Sequence, residues 1–188
     1  MMNSEIQIAA EVILSGGSIL YPTDTIWGIG CDATRQESVQ SIYQIKQRAD
    51  NKSMLVLVSG IAMLEEFVER IPAQALEIIE KAEKPSTIIY PGARKLASNL
   101  LGPDGSIGIR VTTDPFCKKL IDEIGLPIVS TSANISGESA PSSFHEINKS
   151  LMTYVDYVVN WRRDEKAPSS PSAILKLEAD GTITTLRP

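Results

Sequence analysis

The 188 residues are enough for one substantial hydrophobic core without requiring a second, so we expect a single domain over residues 1–188. With 43% hydrophobic and 22% charged residues, the chain can bury enough apolar surface to fold, which argues against global disorder. The net charge of -5 argues against a protein that coats nucleic acid through overall charge, and no apolar stretch approaches the ~20 residues that cross a bilayer.

The first half of the chain is predicted to alternate helices with short strands. A first helix should be capped by Ser4, whose hydroxyl can accept from free backbone amides, and should end at Gly16-Gly17. The further predicted helices of this half cover 37–48, 62–70 and 73–83. The predicted strands cover 18–22, 26–31, 54–58 and 87–90.

The second half continues the alternation and closes with a hairpin. Asp114-Pro115 is a strong helix start and Gly125 a helix stop, while Asp180-Gly181 is typical of a tight turn between antiparallel strands. A further short helix is expected near His145. The predicted strands cover 106–111, 127–130, 154–159, 173–177 and 182–186. Interleaved elements with an antiparallel hairpin predict an α/β fold, a twisted mixed sheet flanked by helices.

The cellular location follows from the first residues and from the cysteines. Glu5 and Glu11 lie around the first apolar positions, unlike the basic start of a signal peptide. Cys31 and Cys117 are far apart without a CxxC motif, and His145 is the single histidine, so no zinc site can be assembled. We therefore expect a cytoplasmic protein with two reduced thiols.

Phosphate binding would need an uncommon arrangement, because the chain has neither GxxxxGK[ST] nor GxGxxG. Lys46, Arg48 and Lys52 cluster where a predicted helix ends, although on their own they favour a solvated helix end over a phosphate site. Arg187 lies in the last predicted strand. Arg110 has apolar neighbours in its strand, which predicts burial and therefore a charged partner.

Two polar segments are candidate binding loops. Ser130-Thr-Ser-Ala-Asn-Ile-Ser-Gly137 follows a predicted strand, where open α/β sheets tend to bind ligands, and Pro22-Thr-Asp-Thr25 follows another. Each segment alone is equally compatible with an ordinary polar turn. His145, Cys31 and the two tryptophans are expected to be packing or surface residues.

Taken in order, four motifs resemble the YrdC/TsaC family. They are Tyr21-Pro-Thr-Asp-Thr-Ile-Trp-Gly-Ile-Gly-Cys-Asp-Ala33, Lys46-Gln-Arg48 with Lys52, Gly108-Ile-Arg110, and Ser130-Thr-Ser-Ala-Asn-Ile-Ser-Gly137. The resemblance extends to about Pro141 and resumes at 171–175 and 186–188. It implies one YrdC-like domain over 1–188, in which the sheet surrounds a large basic concave cavity. It also implies the shorter form of the family, without an appended C-terminal module.

The resemblance implies a nucleotidyltransferase, threonylcarbamoyl-AMP synthase. Such an enzyme condenses L-threonine, bicarbonate and ATP into threonylcarbamoyl-adenylate and pyrophosphate. Downstream transfer proteins then use the adenylate to modify adenosine 37 of tRNA. Mg²⁺ is expected to enter with ATP, without a metal site in the protein itself.

The family's functional residues carry over to matching positions of this chain. Lys46, Arg48 and Lys52 form the basic motif to which we assign catalysis. The residues implied to bind threonine are Thr25, Arg110, Ser132 and Ser172, with Arg110 on the carboxylate. The residues implied to bind ATP are Arg48, Lys52, Ser106, Asn134, Ser142 and Arg187. The family's usual glycines are missing around 160–170, where Trp161-Arg-Arg163 appears instead.

Two alternatives remain open from the sequence. One is a noncatalytic module that holds double-stranded RNA or tRNA in a basic cavity, which the acidic net charge disfavours. The other is a carbamoyl-adenylate-forming domain like those of hydrogenase maturation proteins. The additional regions found in those proteins are missing from this sequence, which disfavours that alternative too.

Overall fold

The computed structural model describes residues 1–47, 54–165, 171–178 and 180–188. The helices are α1 (Met2–Leu14), α2 (Gln36–Ile45), α3 (Ile61–Phe67), α4 (Ala73–Lys81), α5 (Pro115–Ile124) and α6 (Lys149–Met152). Short 3₁₀ turns cover Ser98–Leu100 and Phe144–Glu146. The strands are β1 (Ile19–Tyr21), β2 (Gly28–Gly30), β3 (Leu55–Val58), β4 (Ser86–Tyr90), β5 (Ile107–Val111), β6 (Ile128–Ser132), β7 (Tyr157–Val158), β8 (Ala173–Leu177) and β9 (Ile183–Arg187).

Across the described ranges, these nine strands form one sheet in the order β7-β1-β2-β6-β3-β5-β4-β8-β9. The pairs β1/β7, β3/β5 and β4/β8 are parallel, and the other neighbouring pairs are antiparallel. The expected mixed sheet is therefore confirmed. The terminal hairpin is confirmed as well: β8 and β9 run antiparallel, and Gly181 in their connection has a φ of +90° that glycine adopts readily.

The two faces of the sheet are covered by different helices. Strand residues such as Ile29, Val56 and Ile109 pack in one cluster with the buried side chains of α2, α3 and α4. On the opposite face α1 and α5 pack together over a second cluster, whose strand residues are Ile19, Tyr21, Leu57 and Ile128. Because side chains of a strand alternate between its faces, β1, β3 and β6 contribute to both layers.

The ends of α5 agree with the sequence analysis, whereas the start of α1 does not. The Asp114 carboxylate accepts hydrogen bonds from the amides of Phe116 (3.0 Å) and Cys117 (2.9 Å), and the helix stops before Gly125, which has a φ of +65°. The predicted Ser4 cap of α1 is wrong. The helix already begins at Met2, and the Ser4 hydroxyl donates back to the Met1 carbonyl oxygen at 2.7 Å. The Ser4 hydroxyl therefore forms a hydrogen bond inside the first turn of α1 and does not cap the helix.

Strand β6 is longer than predicted. The sequence analysis ended this strand at Ser130, because hydroxyl-rich segments are typical of turns. In the structure Thr131 and Ser132 continue the strand and pair with Ile29 and Gly28 of β2. Their hydroxyl side chains are therefore fixed on the sheet and not on a loop.

None of the helices in the described parts of the chain has the length and apolar character needed to span a membrane.

A substitution at Gly30 tests how closely the paired strands β1 and β2 are packed. A Cβ added there would overlap the Val129 carbonyl oxygen and approach Tyr21 Cε1 to 2.8 Å. We expect Gly30→Ala to lower the free energy of unfolding by ~1–3 kcal/mol, because a filled site can only be relieved by backbone shifts. Urea denaturation measures this change.

Gly60→Ala is the matched control. Gly60 has an extended φ of -176°, and no atom lies within 4 Å of an added Cβ. Its effect should stay below ~1 kcal/mol, the scale of exchanging a helix-capping residue. Equal losses in the two variants would contradict the packing described for Gly30.

Candidate active site

A cavity of about 550 Å³ lies on the face of the sheet that carries α1 and α5. Strand register assembles its floor. Gly28 lies opposite Ser132, Leu55 opposite Ser130, and Gly108 opposite Ile89. Paired residues of neighbouring strands point to the same face, so these positions form a continuous surface beside the second core cluster.

Glycine is what leaves this surface open. A Cβ on Gly28 would lie 3.3 Å from Ser130 Oγ, and one on Gly108 would lie 3.3 Å from Thr87 Cγ2. Both contacts are tight, so even an alanine would press on hydroxyl-bearing neighbours and occupy the floor. The helices α1 and α5 cover the adjoining part of the face and leave this part free.

The cavity brings together six residues that the sequence analysis assigned to binding. They come from distant segments of the chain and are Thr25, Ser106, Arg110, Ser132, Ser172 and Arg187. Arg110 and Arg187 are 77 positions apart and nevertheless border the same space. The predicted convergence of separate cationic groups on one hollow therefore holds for these two arginines.

The loop after β1 is fixed by its own threonines. The Thr23 hydroxyl donates to the Ile26 carbonyl oxygen at 2.6 Å, and the Thr25 amide donates to Thr23 Oγ1 at 3.1 Å. The two hydroxyl oxygens are 3.1 Å apart. Since Thr23 has given its only proton to Ile26, Thr25 is the donor in this pair. The lone pairs of Thr25 remain available on the cavity side.

Arg110 is buried and forms an ion pair with Asp24. Its Nη2 lies 2.9 Å from Asp24 Oδ1, an ionic contact without hydrogen-bond geometry, and the two side chains are only 2% and 8% exposed. Burial raises the pKa of Asp24, and the nearby Arg110 guanidinium opposes that rise. Among the described residues, Arg110 Nε has no hydrogen-bond acceptor. A carboxylate entering the cavity could satisfy it.

The sequence analysis expected a charged partner for Arg110 but did not identify it. Asp24 stands between two threonines of the Thr23-Asp24-Thr25 loop, and that position was the available signal. Three further hydroxyls border the cavity, those of Thr23, Thr87 and Ser130. Thr23 and Ser130 lie in the two predicted binding loops without having been assigned a role, and Thr87 was not predicted as a site residue at all. Ser130 and Thr87 could have been found from strand alternation, because their neighbours Val129 and Ile88 are buried in the core on the opposite face.

The far wall of the cavity is built by Ser172 and Arg187. Arg187 donates from Nε and Nη2 to the Ser172 carbonyl oxygen at 3.0 and 2.8 Å. The Ser172 hydroxyl lies 2.9 Å from the hydroxyl of Thr87. The guanidinium of Arg187 thus holds the backbone at Ser172, while Arg187 as a whole is exposed. The Ser106 hydroxyl, by contrast, donates to Asp104 Oδ1 at 2.6 Å.

Three predicted residues are not among those that line the cavity. Lys46 is buried, and its Nζ donates to the carbonyl oxygens of Ser132 (2.5 Å) and Asn134 (2.6 Å). Asn134 Nδ2 donates to the carbonyl oxygens of Ile135 and Glu138. The Ser142 hydroxyl bonds to the Glu146 carboxylate at 2.8 Å. The first two residues therefore fix the segment after β6, and their assignment to catalysis or to ATP stays a prediction.

Arg48 and Lys52 lie outside the described residues, so their assignments also stay predictions. The remaining candidates behave as expected. The His145 side chain is 70% exposed, and its Nε2 lies 3.5 Å from Asp164 Oδ1. Cys31 is buried, and burial raises the pKa of its thiol. Trp27 is buried against Phe144, with ring centroids 4.8 Å apart, but its other side also borders the cavity.

No group of three or more His, Cys, Asp or Glu side chains within the described ranges could hold a metal ion.

Comparison with known proteins gives consistent matches over most of the chain. Residues 11–188 match the sequence profile of the Sua5/YciO/YrdC family, whose description is "Telomere recombination". The threonylcarbamoyl-AMP synthase of Pseudoalteromonas translucida is 32% identical over 164 residues, which are 85% of this chain and 88% of that protein.

Two solved structures share the fold. E. coli YciO superposes with a TM-score of 0.83 at 25% identity, covering 100% of this chain and 89% of that one. P. abyssi Sua5 complexed with L-threonine superposes with a TM-score of 0.84 at 24% identity. That match covers 97% of this chain but 53% of Sua5, so this chain spans about half the length of the P. abyssi protein.

Lys46 provides a test of how the cavity wall after β6 is supported. We expect Lys46→Met to lower the free energy of unfolding by ~1–3 kcal/mol, because two buried carbonyl oxygens lose a charged donor while the apolar stem is kept. The control is Lys81→Met, whose ammonium is 72% exposed beside Glu77 and should contribute less than ~1 kcal/mol. Urea denaturation of both variants makes the comparison, and comparable losses would rule out the supporting role.

Proposed function

The chain belongs to the Sua5/YciO/YrdC family, and we propose that it is a threonylcarbamoyl-AMP synthase. The enzyme condenses L-threonine, bicarbonate and ATP into threonylcarbamoyl-adenylate and pyrophosphate. One observation carries the proposal: Arg110 and Arg187 border a single cavity, and its other lining residues in the described ranges are hydroxyl-bearing, glycine or apolar. Its volume of about 550 Å³ falls within the ~300–1,000 Å³ usual for small-molecule sites.

Threonine binds at the end of the cavity formed by β5, β6 and the loop after β1. Arg110 Nε donates to the substrate carboxylate, while Nη2 stays on Asp24. The hydroxyls of Thr25 and Ser132 border the same space and are available to the polar groups of the amino acid. The ion pair with Asp24 orients the guanidinium before the substrate arrives, which reduces the entropy lost on binding.

ATP binds, as its magnesium complex, toward the wall formed by Ser106, Ser172 and Arg187. Arg187 is exposed and retains donors beyond the two that it directs to the Ser172 carbonyl oxygen. Its guanidinium is suited to phosphate oxygens. Arg48 and Lys52 supply further positive charge to the triphosphate in this proposal, because they belong to the same basic motif as Lys46.

The reaction needs positioning and charge more than a protein nucleophile. The threonine amine attacks bicarbonate and loses water to give a carbamate, whose oxygen then attacks the α-phosphorus of ATP. The bond to the bridging oxygen breaks and pyrophosphate leaves, so an adenylyl group is transferred and the enzyme is a nucleotidyltransferase. Orienting the two anions can lower the activation barrier by ~7–11 kcal/mol. The cations stabilise the charge that develops on the leaving pyrophosphate.

A noncatalytic double-stranded RNA module fits these observations less well. Of the two cavity arginines, Arg110 is only 2% exposed, which is too deep for the phosphate backbone of a duplex to reach. The net charge of the whole chain is also negative, which disfavours binding to RNA. In the proposed role the enzyme works in the cytoplasm and passes its adenylate to tRNA threonylcarbamoyl-transfer proteins. Direct contact with tRNA is not required for the reaction itself.

Product analysis tests the proposed function directly. We expect purified protein incubated with Mg²⁺-ATP, bicarbonate and L-threonine to form threonylcarbamoyl-adenylate, detected by mass spectrometry, with matching release of pyrophosphate. Parallel reactions with other amino acids report which side chain the cavity selects, and omission of bicarbonate is the internal control. Pyrophosphate release that does not depend on the amino acid would contradict the proposal.

Arg110 is the residue whose loss should affect threonine most. We expect Arg110→Ala to reduce kcat/KM for threonine by the equivalent of ~2–5 kcal/mol, because the carboxylate loses its donor and Asp24 is left buried without a counter-charge. The measurement is threonine-dependent pyrophosphate release. Arg94→Ala removes an exposed arginine outside the cavity and serves as the control. An unchanged rate for Arg110→Ala would remove Arg110 from the site.

A further inference from the structure

A row of four charged side chains, two arginines at its ends and two aspartates between them, runs from the cavity to the protein surface. It begins with the buried ion pair between Arg110 and Asp24. Asp114 comes next. The Cys117 thiol donates to the Pro22 carbonyl oxygen at 3.4 Å, which brings the start of α5 against the loop that carries Asp24. The negative charge of Asp114 accordingly adds to burial in raising the pKa of Asp24. Arg162 completes the row, because its Nη1 binds Asp114 Oδ2. The side chains of Asp114 and Arg162 are 4% and 23% exposed, so the row lies mostly within the protein.

Asp114 is fixed in this row by its second function. One carboxylate oxygen, Oδ1, caps α5 by accepting the amides of Phe116 and Cys117, while the other, Oδ2, faces Arg162. The Asp114 amide also donates to Thr112 Oγ1 at 3.2 Å. The carboxylate therefore cannot turn away from Asp24 without uncapping the helix. Its charge has to be balanced where it is.

Several contacts hold Arg162 and the segment around it in place. Its φ of +58° is uncommon for a residue with a Cβ, and its Nε lies 2.5 Å from Glu165 Oε2. The neighbouring Arg163 donates to the carbonyl oxygens of Val158 and Val159. Its guanidinium also lies 4.8 Å from the centroid of the Phe144 ring. The segment where the usual glycines of the family are missing thus packs onto the supports of the cavity.

We propose that Arg162 is a positioning residue for the amino-acid substrate, acting through Asp114 and Asp24 on Arg110. The four charges balance before substrate binds. A substrate carboxylate then shares Arg110 with Asp24, and the nearby Asp114 would repel it if Arg162 were absent. In a poorly hydrated site such an unbalanced charge is costly. This inference rests on the proposed function, since it takes the Arg110 end of the cavity as the carboxylate site.

The test compares threonine affinity in variants that change the charge with variants that keep it, at pH 8. Calorimetry gives the dissociation constant for threonine, and steady-state assays give KM for threonine and for ATP. We expect Arg162→Gln to raise the threonine dissociation constant and KM about tenfold or more, and KM for ATP less than about threefold. Arg162→Lys restores the charge and should recover most of the affinity.

Two further variants separate electrostatics from loss of structure. Asp114→Asn combined with Arg162→Gln removes both charges while the amide oxygen can still cap α5, so threonine affinity should return to within about threefold of the unsubstituted protein. Asp114→Asn alone leaves excess positive charge and should bind threonine at least as tightly. Asp164→Asn is the control, because Asp164 lies in the same segment, its side chain is 100% exposed and its charge is screened.

The outcomes distinguish this inference from the proposed function. Unchanged threonine affinity in Arg162→Gln overturns the inference. A loss of threonine affinity in Arg162→Gln that the double variant does not recover also overturns it. So does an equal loss of threonine affinity in Asp114→Asn alone. If Arg162→Gln does not fold, Asp114→Asn alone still decides the sign of the effect. An unsubstituted protein that binds threonine but forms no adenylate rejects the synthase and leaves the affinity comparison valid. Absence of threonine binding rejects both.

Discussion

Successive residues of a β-strand face opposite sides of the sheet, and this constraint places both the core and the cavity of the protein. In β5 the residues Ile107, Ile109 and Val111 face the layer formed with α2, α3 and α4, so Gly108 and Arg110 have to face the other side. Every neighbouring strand continues the same division through its register. The polar floor is therefore a by-product of building a tight apolar layer on the reverse face.

The buried Arg110 is placed by this arrangement and requires a negatively charged partner within it. A guanidinium at 2% exposure needs a counter-charge, and Asp24 supplies one across the floor from the loop after β1. Burial of Asp24 then disfavours its own ionised form, so the pair is stable only as a pair. Asp24 does not engage Nε of Arg110, which has no hydrogen-bond acceptor among the described residues.

The sequence predicted the fold class and the element order well, because helix punctuation is local. Asp114-Pro115 and Gly125 bound α5 as expected, and Asp180-Gly181 marks the last hairpin. The errors also have local causes. Ser4 resembles a cap but lies inside α1, and the hydroxyls after Ser130 resemble a loop but belong to β6. In that case pairing with β2 outweighed the turn preference of the residues themselves.

The candidate site could be predicted only in part, because a sequence does not reveal which side chain faces which. Thr25, Arg110 and Ser132 were correctly grouped around one cavity. Asp24, the partner of Arg110, was missed, since an ion pair across 86 positions leaves no mark in residue spacing. Lys46 was assigned to chemistry from its motif, and only the structure shows its ammonium beneath the wall, on backbone carbonyl oxygens.

The position of Arg187 in β9 has a consequence for the order of folding. The wall at Ser172 is completed when β8 joins β4, which pairs residues 87 positions apart in sequence, and when β9 folds back on β8. Contacts of such long range form late, so the wall at Ser172 and Arg187 stays incomplete until β9 has been synthesised and has paired with β8. A molecule that contacts both Arg110 and Arg187 would in turn reduce fraying of the β8–β9 hairpin. A ligand that binds only the native state stabilises that state by mass action.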